Sequence, residues 1–428
     1  MRVRVGLVCA GLLGCVAGAS AQVPASAAGM GSVTGHVMCG DSQKPARFAT
    51  VMLMAVPAPT PTPAPGTPTV DANGKPDMAA MTQRMQSAMN GVNIVQTQTG
   101  MDGSFVAPNV APGDYYLFAS VPGYVQPSAM VQAAMDAGAD VTKAIPGVPV
   151  VHVSGEGGGS ADITVERGGA VTGHVLWDDG SPASRAIVTV VSTKASDKKL
   201  PPSFAMLGIA GGLGGGGVLS FSDDLGQYRI AGLAPGEYLV KATMQVRSGF
   251  AMQRGVMNMA GLGADKPLVA YAAASFHKSG AKAVTISAGQ EQSGEDVTIN
   301  LVGTHSVSGR VVSAEDGHGL NAGAVELTDA SDKDLVRGAA VDANGSFTVG
   351  FVPGGTYNLT VTGGADTQPS KNKPTGIVRF TMPETVRSYE DGKQSVVVGD
   401  TDVVGLSIAV QPSKSAKPEV NLNDLLKQ

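Results

Sequence analysis

Three times along its 428 residues the chain writes V-[TS]-G-[HR]-V, at 33–37, 171–175 and 307–311, and each time a G-x-[FY] turn and then a P-G…Y segment follow in the same order. A repeated order of elements constrains the fold more than any single motif, because one supersecondary unit must form three times. Strand period two puts Val33, Gly35 and Val37 on one face, with Val171, Gly173, Val175 and Val307, Gly309, Val311 at the matching positions. That face is predicted to point inward. The other face holds Thr34 and His36, Thr172 and His174, Ser308 and Arg310, so histidine gives way to arginine in the third copy, as a solvent-facing slot permits. The glycine inside each strand is predicted to mark a bulge or the close approach of another backbone.

In the second strand, Val51 and Leu53, Val188 and Val190, and Val325 and Leu327 are predicted to point in, with Met52, Thr189 and Glu326 out. Turns follow at Asp102-Gly103-Ser104-Phe105, Leu225-Gly226-Gln227-Tyr228 and Asn344-Gly345-Ser346-Phe347, each feeding a strand whose first aromatic faces the core. Ten residues beyond that aromatic stands Tyr115, Tyr238 or Tyr357. Between them lie Pro112-Gly113, Pro235-Gly236 and Pro353-Gly354, which read as type II turns. The third Pro-Gly is shifted by one residue while the aromatic spacing holds, so the core constrains the aromatics and not the turn. A closing strand ends each copy, at Ile163 and Val165, at Val297, Ile299 and Leu301, and at Leu406, Ile408 and Val410. Only Gly303 and Thr304 join the second copy to the third, so the units stand in file with restricted hinges.

These motifs resemble the carboxypeptidase regulatory-like domain, a transthyretin-like seven-stranded β-sandwich, over residues 32–412 apart from insertions. The resemblance implies an all-β chain of three tandem sandwiches with loop insertions and at most short helices, and a binding or scaffolding habit. Some related sandwiches have a carbohydrate-binding-like fold. The units are predicted at 32–167, 168–303 and 304–412, preceded by a linker at 22–31 and followed by a tail at 413–428.

Residues 1–21 read as a secretory signal peptide: Arg2 and Arg4, an apolar run over 5–19, and Ala19-Ser20-Ala21 before Gln22. Cleavage between Ala21 and Gln22 leaves a mature chain with no transmembrane span, periplasmic or extracellular. A lipobox-like Leu12-Leu13-Gly14-Cys15 offers the alternative of a lipid anchor at Cys15. Without the leader, Cys39 is the single thiol and no internal disulfide can form. The net charge moves from −5 to −7 when Arg2 and Arg4 are lost, which argues against nucleic acid as a partner. Charged residues at 15% and 58 glycines favour short strands and turns over surface helices.

Function is then sought in the insertions. One, at about 57–98, begins with a Pro-rich spacer and continues into Met78, Met81, Met85 and Met89, the stripe of a helix over 78–89, read as an apolar docking face in preference to a soft-metal site. A second, at about 194–219, contains the Gly-rich run 208–217, read as a flexible loop whose apolar flanks include Phe204. A third, 247–293, is predicted to cross one end of the second sandwich. The matching stretch of the third copy, 365–400, is more polar and is read as mobile.

No catalytic site, cofactor site or metal site is predicted. The six histidines make no zinc-peptidase motif, no G-x-S-x-G occurs, and Ser196–Lys199 lacks companion motifs. Asp71-Ala-Asn-Gly74 and Asp342-Ala-Asn-Gly345 lack the twelfth-position Glu of a calcium loop and read as turns. Cys39 has no identifiable base and reads as a bystander. For sugar, Trp177 and Tyr271 are the candidate platforms, with Tyr116, Tyr124 and Tyr389 as further tyrosines outside the repeat. The sequence therefore points to an exported, non-enzymatic binding or scaffolding protein. Its partner would be an envelope protein or, in the alternative reading, a polysaccharide.

Overall fold

The computed structural model describes residues 29–56, 94–141, 143–155, 157–194, 204, 219–245, 264–369 and 383–413. The leader, the Pro-rich and Met-rich stretches, Ser196–Lys199, the Asp71 turn, the Gly-rich run and the tail beyond 413 lie outside them. The described chain is nearly all β and forms tandem sandwiches around three separate apolar cores.

In the first sandwich the strands are β1 (Gly31–Cys39), β2 (Thr50–Ala55), β3 (Ile94–Gln98), β4 (Ser104–Val110), β5 (Gly113–Ser120), β6 (Val150–Val153), β7 (Gly159–Ser160) and β8 (Ile163–Val165). One sheet runs β3-β2-β5-β6, and the other runs β4-β1-β7 with β8 also on β1. The second sandwich has β9 (Gly169–Trp177), β10 (Ile187–Ser192), β11 (Leu219–Phe221), β12 (Gln227–Leu233), β13 (Gly236–Met244), β14 (Leu268–Tyr271), β15 (Ala283–Ile286), β16 (Glu291–Gln292) and β17 (Val297–Ile299). Its sheets are β11-β10-β13-β14, with β15 on β13, and β12-β9-β16, with β17 on β9. The third has β18 (Thr304–Ser313), β19 (Ala322–Asp329), β20 (Val336–Ala340), β21 (Ser346–Pro353), β22 (Gly355–Gln368), β23 (Glu384–Ser388), β24 (Gly392–Val398) and β25 (Val403–Val410). Here the sheets are β20-β19-β22-β23, with β24 on β22, and β21-β18-β25. In every copy the opening strand lies antiparallel to the aromatic strand and parallel to the closing strand.

The inward valines of β1, β9 and β18 are fully buried, as their period demands. The strand glycines are sites of close backbone approach. A Cβ on Gly35, Gly173 or Gly309 would stand 1.9, 2.5 or 2.3 Å from the carbonyl oxygen of Ala161, Glu295 or Leu406, and each glycine is paired with the aromatic of the neighbouring strand. The bulge is elsewhere, where Asn109, Gly232 and Phe351 take φ of +57°, +79° and +55°.

Two expectations are corrected. Met52 does point away from the first core, but it is buried, because a second apolar layer covers that face. Met52, Met54, Tyr116 and Phe118 pack beneath the helix α1 (Pro127–Asp136) and the segment after it, contributing Val131, Ala134, Met135, Val141 and Ile145. Pro127 suits the first helical turn because it lacks the N–H that would go unpaired there. The stretch 365–400, read as mobile, is strand over most of its described residues, where it supplies the end of β22 and all of β23 and β24.

Candidate functional site

The repeated tyrosine turns out to be a corner bolt. The hydroxyls of Tyr115, Tyr238 and Tyr357 donate to the carbonyls of Ala111, Ala234 and Pro353, each four residues back, at 3.0, 2.8 and 2.9 Å. Each ring folds over a glycine, with 3.7, 3.3 and 3.4 Å from a Cβ built on Gly113, Gly236 and Gly355 to the ring carbon Cε2. This corrects the type II reading: the matching glycine in the third copy is Gly355, and Gly236 and Gly355 do not take positive φ. The apparent slip of Pro-Gly is thus a change of prolines around a fixed glycine, acceptor carbonyl and tyrosine. Removing the hydroxyl in Tyr357→Phe should cost about 1 kcal/mol, because the acceptor loses its donor without a change of shape. Chemical denaturation checks this, and a cost within error of zero would refute the bolt.

Both links between sandwiches are built contacts. At the first, Gln126 N–H donates to Gly232 O at 3.2 Å, and its side chain is held by Ser120, Val121 and Tyr124. Val125, Ala129 and half-buried Met130 pack on Ala234. Phe204, from the second insertion, is buried in the outer layer of the first sandwich with its ring 6.3 Å from that of Tyr116.

At the second link, residues 264–278 meet the β19–β20 edge of the third sandwich. Arg337 is 4% exposed, and its guanidinium donates to Lys266 O at 2.6 Å and to Gly350 O at 3.1 and 3.3 Å. Burial lowers its pKa to about 10. Around it Lys266 pairs with Glu326 at 2.9 Å, His277 Nε2 lies 3.6 Å from Asp329, and the backbone N–H of Lys278 donates to Asp332 at 2.7 Å. Burial works against the Asp329 charge, yet donors from Ser331 and Asp332 hold its pKa below the usual carboxylate value. Phe276 touches the cores on both sides.

Every histidine has an aspartate partner no more than 3.9 Å away. Asp162 and Asp296 also accept the backbone N–H of His36 and His174 at 2.8 Å, so in two copies the pair fastens the closing segment to the opening strand. In the third, Arg310 stands opposite Ser407 and donates instead to Asn344 O. The densest cluster surrounds His318. Its Nδ1 faces Asp316, its Nε2 lies 3.1 Å from both carboxylate oxygens of Asp366, and Tyr389 donates to Asp366 at 2.7 Å. The aspartates occupy opposite edges of the ring, so they lock the imidazole and do not converge on one point. Hydrogen bonds to Asp316 and Asp366 hold the His318 pKa above its ordinary value.

The sequence candidates fall differently from expectation. Tyr271 is 2% exposed and lies under the second link, where burial and the nearby Asp334 and Asp332 push its pKa up to about 12. Tyr116, Tyr124 and Tyr389 are buried too. A buried ring offers no face to a sugar, so none of these four is a platform in this structure. Trp177 ends its strand half-buried against the second core. Cys39 is buried beside Tyr124, whose hydroxyl bonds Asp41 at 2.8 Å. Asp342 accepts the N–H groups of Asn344 and Ser346, the pattern of a turn. Among the described residues no group of three or more His, Cys, Asp and Glu is placed to hold a metal, and no helix is long and apolar enough to cross a membrane.

No family model matches the chain, and none of the curated proteins matches it. Among solved structures, the Bacillus anthracis TIE protein is similar at 12% identity over 90% of this chain and 51% of that one, with a TM-score of 0.19. The chain thus spans about half the length of that relative. A streptococcal ancillary pilin is 13% identical over 90% of this chain and 100% of its own, with a TM-score of 0.24. GBS52, the minor pilin of Streptococcus agalactiae, is 12% identical over 63% of this chain and 94% of its own, with a TM-score of 0.23. Scores in this range leave the architecture to be read from the chain's own sheets.

Proposed function

We propose that the protein is an exported, non-enzymatic scaffold, in which three sandwiches, at 32–167, 168–303 and 304–412, hold their loops in a set relation for an envelope or extracellular partner. Export rests on the leader pattern before Gln22. The observation that carries the scaffold reading is the second link: a buried guanidinium, the Lys266–Glu326 ion pair, polar contacts to Asp329 and Asp332, and a shared aromatic restrain neighbouring sandwiches more than a bare two-residue linker would. A carbohydrate reading would rest on Trp177 alone, since Tyr271 is enclosed.

Spin labels at exposed Leu225 and Val397, in a Cys39→Ala background of the exported protein, test this. A single narrow distance distribution is expected. A broad distribution, like that of two sandwiches on a free tether, would refute the scaffold.

A further inference from the structure

We propose that His318 is a proton-operated latch on the β22–β23 hairpin: the hairpin is fastened to the segment following β18 while the imidazole is doubly protonated, and loosens when it is neutral. The groups around the ring come from three places. Glu315 and Asp316 belong to the segment after β18, Asp366 lies on β22, and Arg387 and Tyr389 belong to β23 and the residues just beyond it. Arg387 is engaged with Glu315 at 2.8 Å, so the imidazole is the cation that bridges Asp316 and Asp366.

A neutral imidazole has one N–H and one lone pair. It can donate to one of these aspartates only, and the other then faces a lone pair. If Asp366 loses the bond, it keeps the Tyr389 donor and no other ion pair among the described residues, because Arg387, which stands opposite it on β23, is paired with Glu315. Asn321 clasps Thr367 on the same strand through two bonds of 2.7 and 2.8 Å that do not titrate, so deprotonation loosens the hairpin without freeing it. Among the ion pairs of the described residues, the other five histidines each meet a carboxylate through one ring nitrogen only.

The direction of the His318 shift agrees with this geometry. Because the folded pKa lies above the unfolded one, the contribution is whole below about pH 6.5 and is lost as the pH rises through the folded value.

The test uses the full chain labelled with 13C-histidine, the His318 resonance being assigned by its loss in His318→Gln. Its titration midpoint is expected above about 6.5, and Asp366→Asn should lower it. Hydrogen exchange of peptides covering 384–390, corrected for the intrinsic effect of pH, should show protection falling between about pH 6 and about pH 8.5 in the wild type. In His318→Gln it should be low at both. A midpoint at or below the ordinary histidine value, or equal wild-type protection at both pH values, would overturn the latch. Should His318→Gln fail to fold, Asp316→Asn and Asp366→Asn carry the test, since each must lower the midpoint of the resonance it perturbs. A midpoint unmoved by both overturns the proposal.

Discussion

Arg337→Leu should destabilise the protein by about 3 kcal/mol, because one substitution strips the donors from two carbonyls, Lys266 O and Gly350 O, at the second link. Leucine fills much of the space and brings no charge, so the cost isolates the lost bonds. Arg337→Lys should recover less than half of it, since an ammonium on a single stem cannot reach both acceptors as a planar fork does. Calorimetry should also show melting of the second and third sandwiches becoming less coupled, as the bond to Lys266 O crosses from one to the other. The backbone of β20 is close enough to residue 264 that a Cβ on Gly338 would stand 2.5 Å from Ala264 O, so the loss is not easily absorbed by sliding the two apart. A melting temperature within about 1 °C of wild type would show that the guanidinium is not holding the link.

Gly35→Ala is the second large effect, at about 3 kcal/mol. The added methyl would sit 1.9 Å from Ala161 O and 3.0 Å from the Phe105 ring. The carbonyl cannot turn away, because β7 and β8 on either side of it pair with the same strand. Relief requires displacing the closing segment from β1, an overpacking cost at the upper end of the usual range. The equivalent change at Gly173, with 2.5 Å to its carbonyl, should cost less than at Gly35. Gly399→Ala, with nothing within 4 Å and no positive φ, should stay within about 0.5 kcal/mol of wild type. Chemical denaturation of the three variants gives the order directly, and a Gly35 variant as stable as the Gly399 variant would refute the close-approach account.

Much of the fold was legible in the chain. Inward valines, turn glycines and the aromatic spacing of ten are properties of single elements, and each element keeps its own period. Gly103, Gly226 and Gly345 have φ of +78°, +76° and +84°, as the turns before the aromatic strands require. The covered outer face of the first sandwich was also written there and was misread. Val51-Met52-Leu53-Met54 is an unbroken apolar run where the second copy has Thr189 and the third has Glu326, which is how a strand buried on both faces reads.

Other features had no local signal. Thr99 and Ser222 each take a backbone N–H at 2.8 Å and donate to a carbonyl at 2.6 Å in the core, while the third copy has Val341 at that place. Nothing in the neighbouring residues distinguishes those hydroxyls from surface ones. Arg337 stands opposite inward-facing Leu327, so strand alternation turns it toward the interior, but only the arriving carbonyl of Lys266 explains how a guanidinium can be buried there.

By itself, then, the sequence determined the unit: which strands form, which way their valines face, and that the unit recurs three times. It could do so because side-chain period, turn φ and aromatic spacing are set within a few residues. The tertiary structure alone decided that Tyr271 lies inside a link and not on a surface, that Phe204 is spent on the neighbouring sandwich, and that His318 falls between two aspartates, one of them 48 residues away. Those outcomes depend on which distant segment arrives over a face, and strand periodicity reports only the side of its own element on which a residue stands.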